Sequence, residues 1–208
     1  SIFTTAMRWI EAPTPATSIA LPGLSPLVGQ TLIRRGISTQ SAARAFLDPQ
    51  TYTPTPASAL PGLAAAAERV ARAIRAGDAI CVWGDFDVDG QTSTTLLVQT
   101  LQALGARVSY HIPVRARESH GVNIENLARV IAGGAKLVLT CDTGISAHAA
   151  VEYARSRGVE MVITDHHDLP PELPNTLVVN PKLLPEDHPL GTLAGVGVAC
   201  KLAEALLE

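Results

Sequence analysis

The sequence predicts an α/β fold: a mostly parallel sheet with helices on both faces, preceded by a short helical N-terminal segment. Three observations carry this. From residue 61 onward, helical patterns that mostly end in glycine alternate with short Val/Ile-rich runs, the order expected of βαβ units. Those runs are apolar over most of their length, as strands covered on both faces must be. At 208 residues and 47% apolar content, the chain can bury a sizeable core, and 17% charged residues is not the composition of a disordered one.

Residues 1 to about 60 differ from the rest. "LSPLVGQTLIRRG" and "STQSAARAFLD" are short helical patterns with Ser or Thr near their starts. A Thr/Pro/Ala-rich connector, "PQTYTPTPASALPG", follows. The expected organisation is therefore a helical preface and connector over residues 1–60, packed on an α/β domain over 61–208. Within that domain the predicted order is helix "LAAAAERVARAIRAG", strand "AICVWGD", helix "QTSTTLLVQTLQALG" and strand "RVSYHIP". Next come helix "NIENLARVIAGG", strand "KLVLTCD", helix "SAHAAVEYARSRG" and strand "VEMVITD". "TLVVN" is a further short strand, and "LAGVGVACKLAEALLE" a final helix entered through a glycine loop. The sequence stops inside that helix without a glycine or proline stop signal, which predicts a C-terminally truncated domain.

Net charge is −3, so nothing in the total advertises nucleic acid, although a local basic groove is invisible to a sum. Cys81, Cys141 and Cys200 are too few and scattered for a disulfide framework and read as small core residues in a reducing cytoplasm. No apolar run approaches the ~20 residues of a membrane span, and "SIFTTAMRWIEAP" is no signal peptide.

Chemistry gathers in "GDFDVDG", "CDTG" and "TDHHD", each directly after a predicted strand. Strands of a parallel sheet point one way, and their carboxyl ends form the edge where such folds place ligands. Asp85, Asp87, Asp89, Asp142, Asp165, His166, His167 and Asp168 should converge there. Carboxylates crowded together raise one another's pKa unless a countercharge is present. Two divalent cations would supply it, and such pairs suit phosphoester hydrolysis. Oxygen ligands with one or two imidazoles favour Mn²⁺ or Mg²⁺, and the lack of thiolates speaks against structural zinc.

Other readings compete. "DFDVDG" opens like a calcium-binding EF-hand loop, but its twelfth position is Leu96 where a bidentate Glu is required. "FDVDGQT" resembles the nucleophile motif of haloacid-dehalogenase-type phosphatases, with Asp87 attacking and Asp89 as acid, which leaves "TDHHD" without a role. Taken singly, Asp89-Gly90 is a turn, Asp142 a helix-entry residue and Asp168 a loop carboxylate. Three such stretches at three strand ends are harder to explain blandly.

Asp165-His166-His167 is the triplet that names the DHH phosphoesterases. "VWGDFDVDGQTST", "LVLTCDTGIS", "MVITDHHDLPPELP" followed by "VVNPK", and "LAGVGVACKLAEAL" resemble successive motifs of the bacterial RecJ single-strand-specific exonucleases. The opening "RRGISTQSAARAFLDP" and "ALPGL" are also similar to that family's start, so the likeness covers nearly all of the chain. It implies 5′→3′ hydrolysis of single-stranded DNA, in repair or recombination, with two Mn²⁺ or Mg²⁺ ions. Asp87, Asp89, Asp142 and His166 would be metal ligands, Asp142 bridging the pair. Asp85 would be a ligand or a neighbour of one, His167 would sit at the scissile phosphate, and Asp165 would orient a histidine.

Two departures stand out. The family's site takes a further aspartate from beyond the final helix, and its nucleic-acid-binding domains also lie beyond the sequence, so weak activity is expected of this piece. The loop "RARESHGVN" has Ser119-His120 where relatives tend to have Gly-Tyr; Arg115, Arg117 and His120 are its candidate phosphate contacts. A single-strand-binding protein or a helicase is the expected protein partner. The rival functions are a phosphodiesterase for short oligonucleotides or small phosphoesters, and a non-catalytic DNA-binding scaffold.

Overall fold

The computed structural model describes residues 9–11, 13, 25–51, 53–118 and 121–208. The chain divides into two compact units, Ser1–Pro54 and Thr55–Glu208. In the first, α1 (Pro26–Arg34) starts with a proline where the missing N–H costs nothing, and the Thr39 hydroxyl caps α2 (Gln40–Leu47) by accepting from the Ala42 N–H at 3.2 Å. Leu32 and Ala43 are its buried centre, with Val28 and Ile37 against them.

The second unit runs α3 (Leu63–Ala76), β1 (Ala79–Trp83), α4 (Val88–Ala103), β2 (Arg107–His111), α5 (Ile124–Ala132) and β3 (Leu137–Cys141). It continues with α6 (His148–Ser156), β4 (Glu160–Thr164), β5 (Leu177–Val179) and α7 (Gly195–Leu207). The five strands pair in the order β2-β1-β3-β4-β5, and every pairing is parallel. Alternate side chains serve two cores. Ile80, Val82, Leu137, Leu139 and Val162 face α3, α4 and α7, while Trp83, Val138, Met161 and Ile163 face α5 and α6. That two-sided burial is why these strands read as unbroken apolar runs. Helix α3 buries Leu63, Ala66, Ala67, Val70 and Ala73, the i, i+3, i+4, i+7 stripe expected of a helix on a sheet.

Three details differ from the sequence reading. Helix α4 begins at Val88 rather than Gln91, because the Asp87 carboxylate accepts the Gly90 N–H at 2.9 Å and nucleates the helix three residues early. Cys200 is exposed rather than buried, since it lies off the inward stripe of Val198, Ala199, Leu202 and Ala203. Strand β2 is an edge strand with exposed Arg107, Ser109 and Tyr110, so it lacks the apolar continuity of β3. Among the described residues, no helix is long and apolar enough to cross a membrane.

Candidate metal centre

Strand β1 pairs with β2 on one side and β3 on the other, so the connections leaving β1 and β3 diverge at their carboxyl ends. A crevice opens at such a switch point. The acidic stretch after β1 and Asp142 after β3 flank it, and the histidine pair after β4 closes its third side.

Asp142 sits at the centre. It is 2% exposed, and its φ of 60° makes it the one non-glycine residue with a left-handed backbone among the described residues. Holding a non-glycine there costs on the order of 1–3 kcal/mol, a strain that functional sites tend to retain. Its Oδ1 lies 3.0 Å from His166 Nε2, yet the alignment makes no hydrogen bond and this buried oxygen has no hydrogen-bond partner. Burial, then the charges of Asp89 and Asp87, push its pKa up to about 7.

Asp89 comes from the first turn of α4, and its Oδ2 lies 3.5 Å from His166 Nε2. Both of its oxygens are held: Oδ2 accepts the Gly195 N–H and Oδ1 the Val196 N–H, each at 2.7 Å. An internal carboxylate thus occupies the first amides of α7, as the positive end of a helix favours. Asp87 spends Oδ1 on capping α4, and its charge still reaches Asp142. Asp85 is buried at the rim, with Oδ1 accepting the Phe86 N–H.

Two glycines permit this proximity. A Cβ on Gly90 would meet the Asp85 backbone at 2.5–2.6 Å, so only glycine lets α4 start against that loop. A Cβ on Gly195 would stand 2.5–2.7 Å from the Asp142 side chain. The "DVDG" and "GVG" glycines thus serve steric closeness around the same carboxylates.

Asp165 is 1% exposed and is the anchor of the histidine pair. Its Oδ1 accepts the His166 and His167 N–H groups at 2.7 and 3.2 Å, and Oδ2 accepts that of Ile145 at 2.9 Å. The same Oδ1 lies 2.7 Å from His167 Nδ1. A carboxylate can only accept, so Nδ1 carries the hydrogen and Nε2 faces outward. Burial lowers the His167 pKa, but the hydrogen bond and charge of Asp165, joined by Asp142 and Asp85, outweigh it and the net shift is upward. Donor atoms of Asp142, His166 and His167 all lie within 4.8 Å of one another. Beside them a cleft of about 540 Å³ is lined by Asp85, Val122, Thr143, Ile145, Asp165 and His167.

The structure therefore brings Asp89, Asp142, His166 and His167 together, with Asp87 and Asp85 beside them. Arg115 stands at the rim with its guanidinium 5.0 Å over the Phe86 ring, Arg117 is exposed on the same turn, and His120 lies outside the described residues. Asp168 points to solvent and pairs with Lys182, which lowers its pKa through a hydrogen bond and charge. The sequence reading missed Asn180, fully buried, whose amide donates to the His167 carbonyl at 3.0 Å and fixes the loop after β4. An asparagine before proline at a strand end, "VNPK", was the available signal. The donor set fits a divalent cation of the Mn²⁺ or Mg²⁺ type: hard carboxylate oxygens, an imidazole nitrogen, and an orphaned buried oxygen on Asp142 that a cation would satisfy.

A parallel α/β domain with converging carboxylates and an Asp-His-His triplet at its edge belongs to the DHH family: the model for "DHH family, N-terminal domain" matches residues 79–208. Over 188 residues the chain is 41% identical to the single-stranded-DNA-specific exonuclease RecJ of Bacillus subtilis, covering 88% of this chain and 24% of that protein. RecJ of Escherichia coli is 38% identical over 185 residues, 88% of this chain and 31% of that protein. The chain thus spans about a quarter to a third of the length of these relatives. A manganese-bound exonuclease RecJ structure superposes with a TM-score of 0.68 at 40% identity, covering 74% of this chain and 39% of that one. The Mn²⁺ complex of RecJ from Thermus thermophilus gives 0.69 at 35% identity, covering 87% of this chain and 25% of that one. The dehalogenase-type reading of "FDVDGQT" gives way to this membership.

Proposed function

We propose that the chain carries the metal-binding domain of an enzyme that hydrolyses single-stranded DNA from its 5′ end, working in the cytoplasm in DNA repair or recombination. The observation that carries the reading is the unsatisfied, strained Asp142 carboxylate between Asp89 and His166. Among the described residues no Lys or Arg pairs with Asp89 or Asp142, and a pair of divalent ions would balance their charge. Asp87, Asp89, Asp142 and His166 would hold Mn²⁺ or Mg²⁺, Asp142 in the bridging place, with Asp85 as a further neighbour. Bound ions would supply activation of water and stabilisation of developing charge on the phosphate.

The protein's own groups do the rest. Asp165 fixes the His167 ring through Nδ1, which leaves Nε2 to donate to a phosphate oxygen. Arg115, stacked on Phe86, and the exposed Arg117 would contact the strand's backbone, giving affinity without sequence preference. A single-strand-binding protein or helicase would deliver the strand.

The test is metal-dependent cleavage of single strands labelled at the 5′ or the 3′ end. Mononucleotide release from the 5′ end with Mn²⁺, absent with chelator, is expected. Cleavage confined to short oligonucleotides would favour the small-substrate phosphodiesterase, and binding without cleavage would favour the scaffold.

A further inference from the structure

The turn that carries Arg115 is held by one side chain outside the carboxylate cluster. The N–H groups of Arg117 and Glu118 both donate to the Val114 carbonyl, at 2.8 and 2.9 Å, closing residues 114–118 into a compact turn. At its end the half-buried Glu118 carboxylate reaches two other elements. Its Oε2 lies 2.9 Å from His111 Nε2, at the carboxyl end of β2, and accepts from the Asn126 amide on α5 at 2.7 Å. Neither partner is idle. Asn126 also accepts from Arg129 at 2.8 Å, and the His111 ring packs on the buried Trp83 ring with centroids 4.2 Å apart.

His111 links this latch to the acidic loop, because its carbonyl accepts the Gly84 N–H at 2.9 Å, one residue before Asp85. The other end of the turn meets the same loop through Arg115 and Phe86, which lies between Asp85 and Asp87. Among the described residues no ion pair joins Arg115 to a carboxylate, and a surface cation–aromatic contact is worth only about 0.5–1 kcal/mol. Stacking on Phe86 alone is too weak to fix a long side chain. The turn must supply the order, and the Glu118 latch is what orders the turn.

We propose that Glu118 is a positioning residue: clamped between His111 and Asn126, it holds Arg115 over Phe86 so that the guanidinium meets a backbone phosphate of a single strand entering the carboxylate cluster. This rests on the nucleic-acid reading of the site given above. The ligand chemistry is a phosphodiester next to the one at the metal centre. A charge carried on an unlatched turn would still attract the strand from a distance but would lose the directed contact, and with it the displacement of counterions at that phosphate.

A double-mutant cycle in single-strand binding tests this. Glu118→Ala, Arg115→Ala and the double variant are compared with the wild type by fluorescence anisotropy of an oligothymidylate. Salt is varied, with Ca²⁺ in place of a catalytic ion, and the fold is followed by thermal melting. The latch predicts that each single variant weakens binding several-fold and flattens log K against log[salt] by about 0.7, the single-strand value for one lost phosphate contact. The double variant should bind no worse than Arg115→Ala alone. Glu118→Gln, which keeps an oxygen for Asn126, should recover part of the loss.

Equal, additive losses in both backgrounds with an unchanged salt slope would make Glu118 structural and overturn the proposal. So would tighter binding by Glu118→Ala, the result expected if the carboxylate merely repelled the strand. Failure of the wild type to bind single strands at all would instead bring down the nucleic-acid reading itself.

Discussion

Asp89 caps the helix that begins at Gly195: residues 106 positions apart in sequence meet at 2.7 Å, carboxylate to backbone N–H. The contact ties the start of α4 to the start of α7 across the site and places a negative charge, supported by two amides, beside the buried Asp142. Each Asp89 oxygen spends one lone pair on an amide and keeps another for a cation. One carboxylate thus serves as helix cap and candidate ligand. Asp142, denied such donors, bears the consequence of the crowding.

That consequence is measurable in the metal-free protein. The folded pKa of Asp142 is raised to about 7 from an ordinary value of 3.8. A raised acid favours folding most when protonated, so its contribution is fully present below about pH 4 and is lost as pH rises through about 7. Thermal melting with chelator should show stability falling across that window, and Asp142→Asn should flatten the fall. Asparagine tolerates the left-handed backbone and carries no charge. An Asp142→Asn variant with the wild-type pH profile would mean that Asp142 is not the titrating group.

Gly195→Ala should be more damaging than its small size suggests. The added methyl would stand 2.5–2.7 Å from the Asp142 side chain, so either α7 or the carboxylate must move. Overpacking of this kind costs about 1–3 kcal/mol, and here it should also abolish cleavage. Gly197→Ala is the control, because the one atom its methyl would meet at under 3 Å is the far end of the Leu193 side chain, at 2.8 Å, which can rotate away. Melting and turnover of the two variants should separate clearly; equal behaviour would show that the Asp142 contact is not what demands glycine.

Asp165→Asn should cost about 1–3 kcal/mol, because its amide oxygen can serve the donors on the histidine side only by turning the NH₂ toward the buried Ile145 N–H. Cleavage should fall further than stability, since a neutral amide oxygen holds the His167 Nδ1–H more weakly than the carboxylate does. Full activity in a folded Asp165→Asn protein would remove His167 orientation from the mechanism.

Asp168→Ala should change neither melting nor turnover, because the carboxylate is exposed and its pairing with Lys182 is a surface one. The parallel loss of cleavage in Asp142→Ala, with the fold retained, completes the contrast.

The sheet was legible because strands covered on both faces must be apolar throughout, and glycine-ended helices between them fix parallel order. Convergence of Asp142 and His166 followed from strand direction alone, since both leave carboxyl ends of neighbouring strands. What could not be read was contact made by backbone. The amides of Gly195 and Val196 carry no residue signature, so their capture by Asp89 was visible only as a short "GVG". The early start of α4 had the same origin: Asp87 was read as a ligand or a nucleophile, although an Asp before a helix is also a cap. Glu118 was passed over because its partners, His111 and Asn126, come from different elements and share no motif with it.

The claim that the carboxylate cluster is a metal centre is tested most directly by locating Mn²⁺ through its anomalous scattering in crystals of the protein. A metal centre predicts a peak within about 2.0–2.4 Å of an Asp142 oxygen and of His166 Nε2, a bonding distance for oxygen and nitrogen ligands, and its loss in Asp142→Asn. Mn²⁺ bound elsewhere, or a peak that survives Asp142→Asn unchanged, would contradict it.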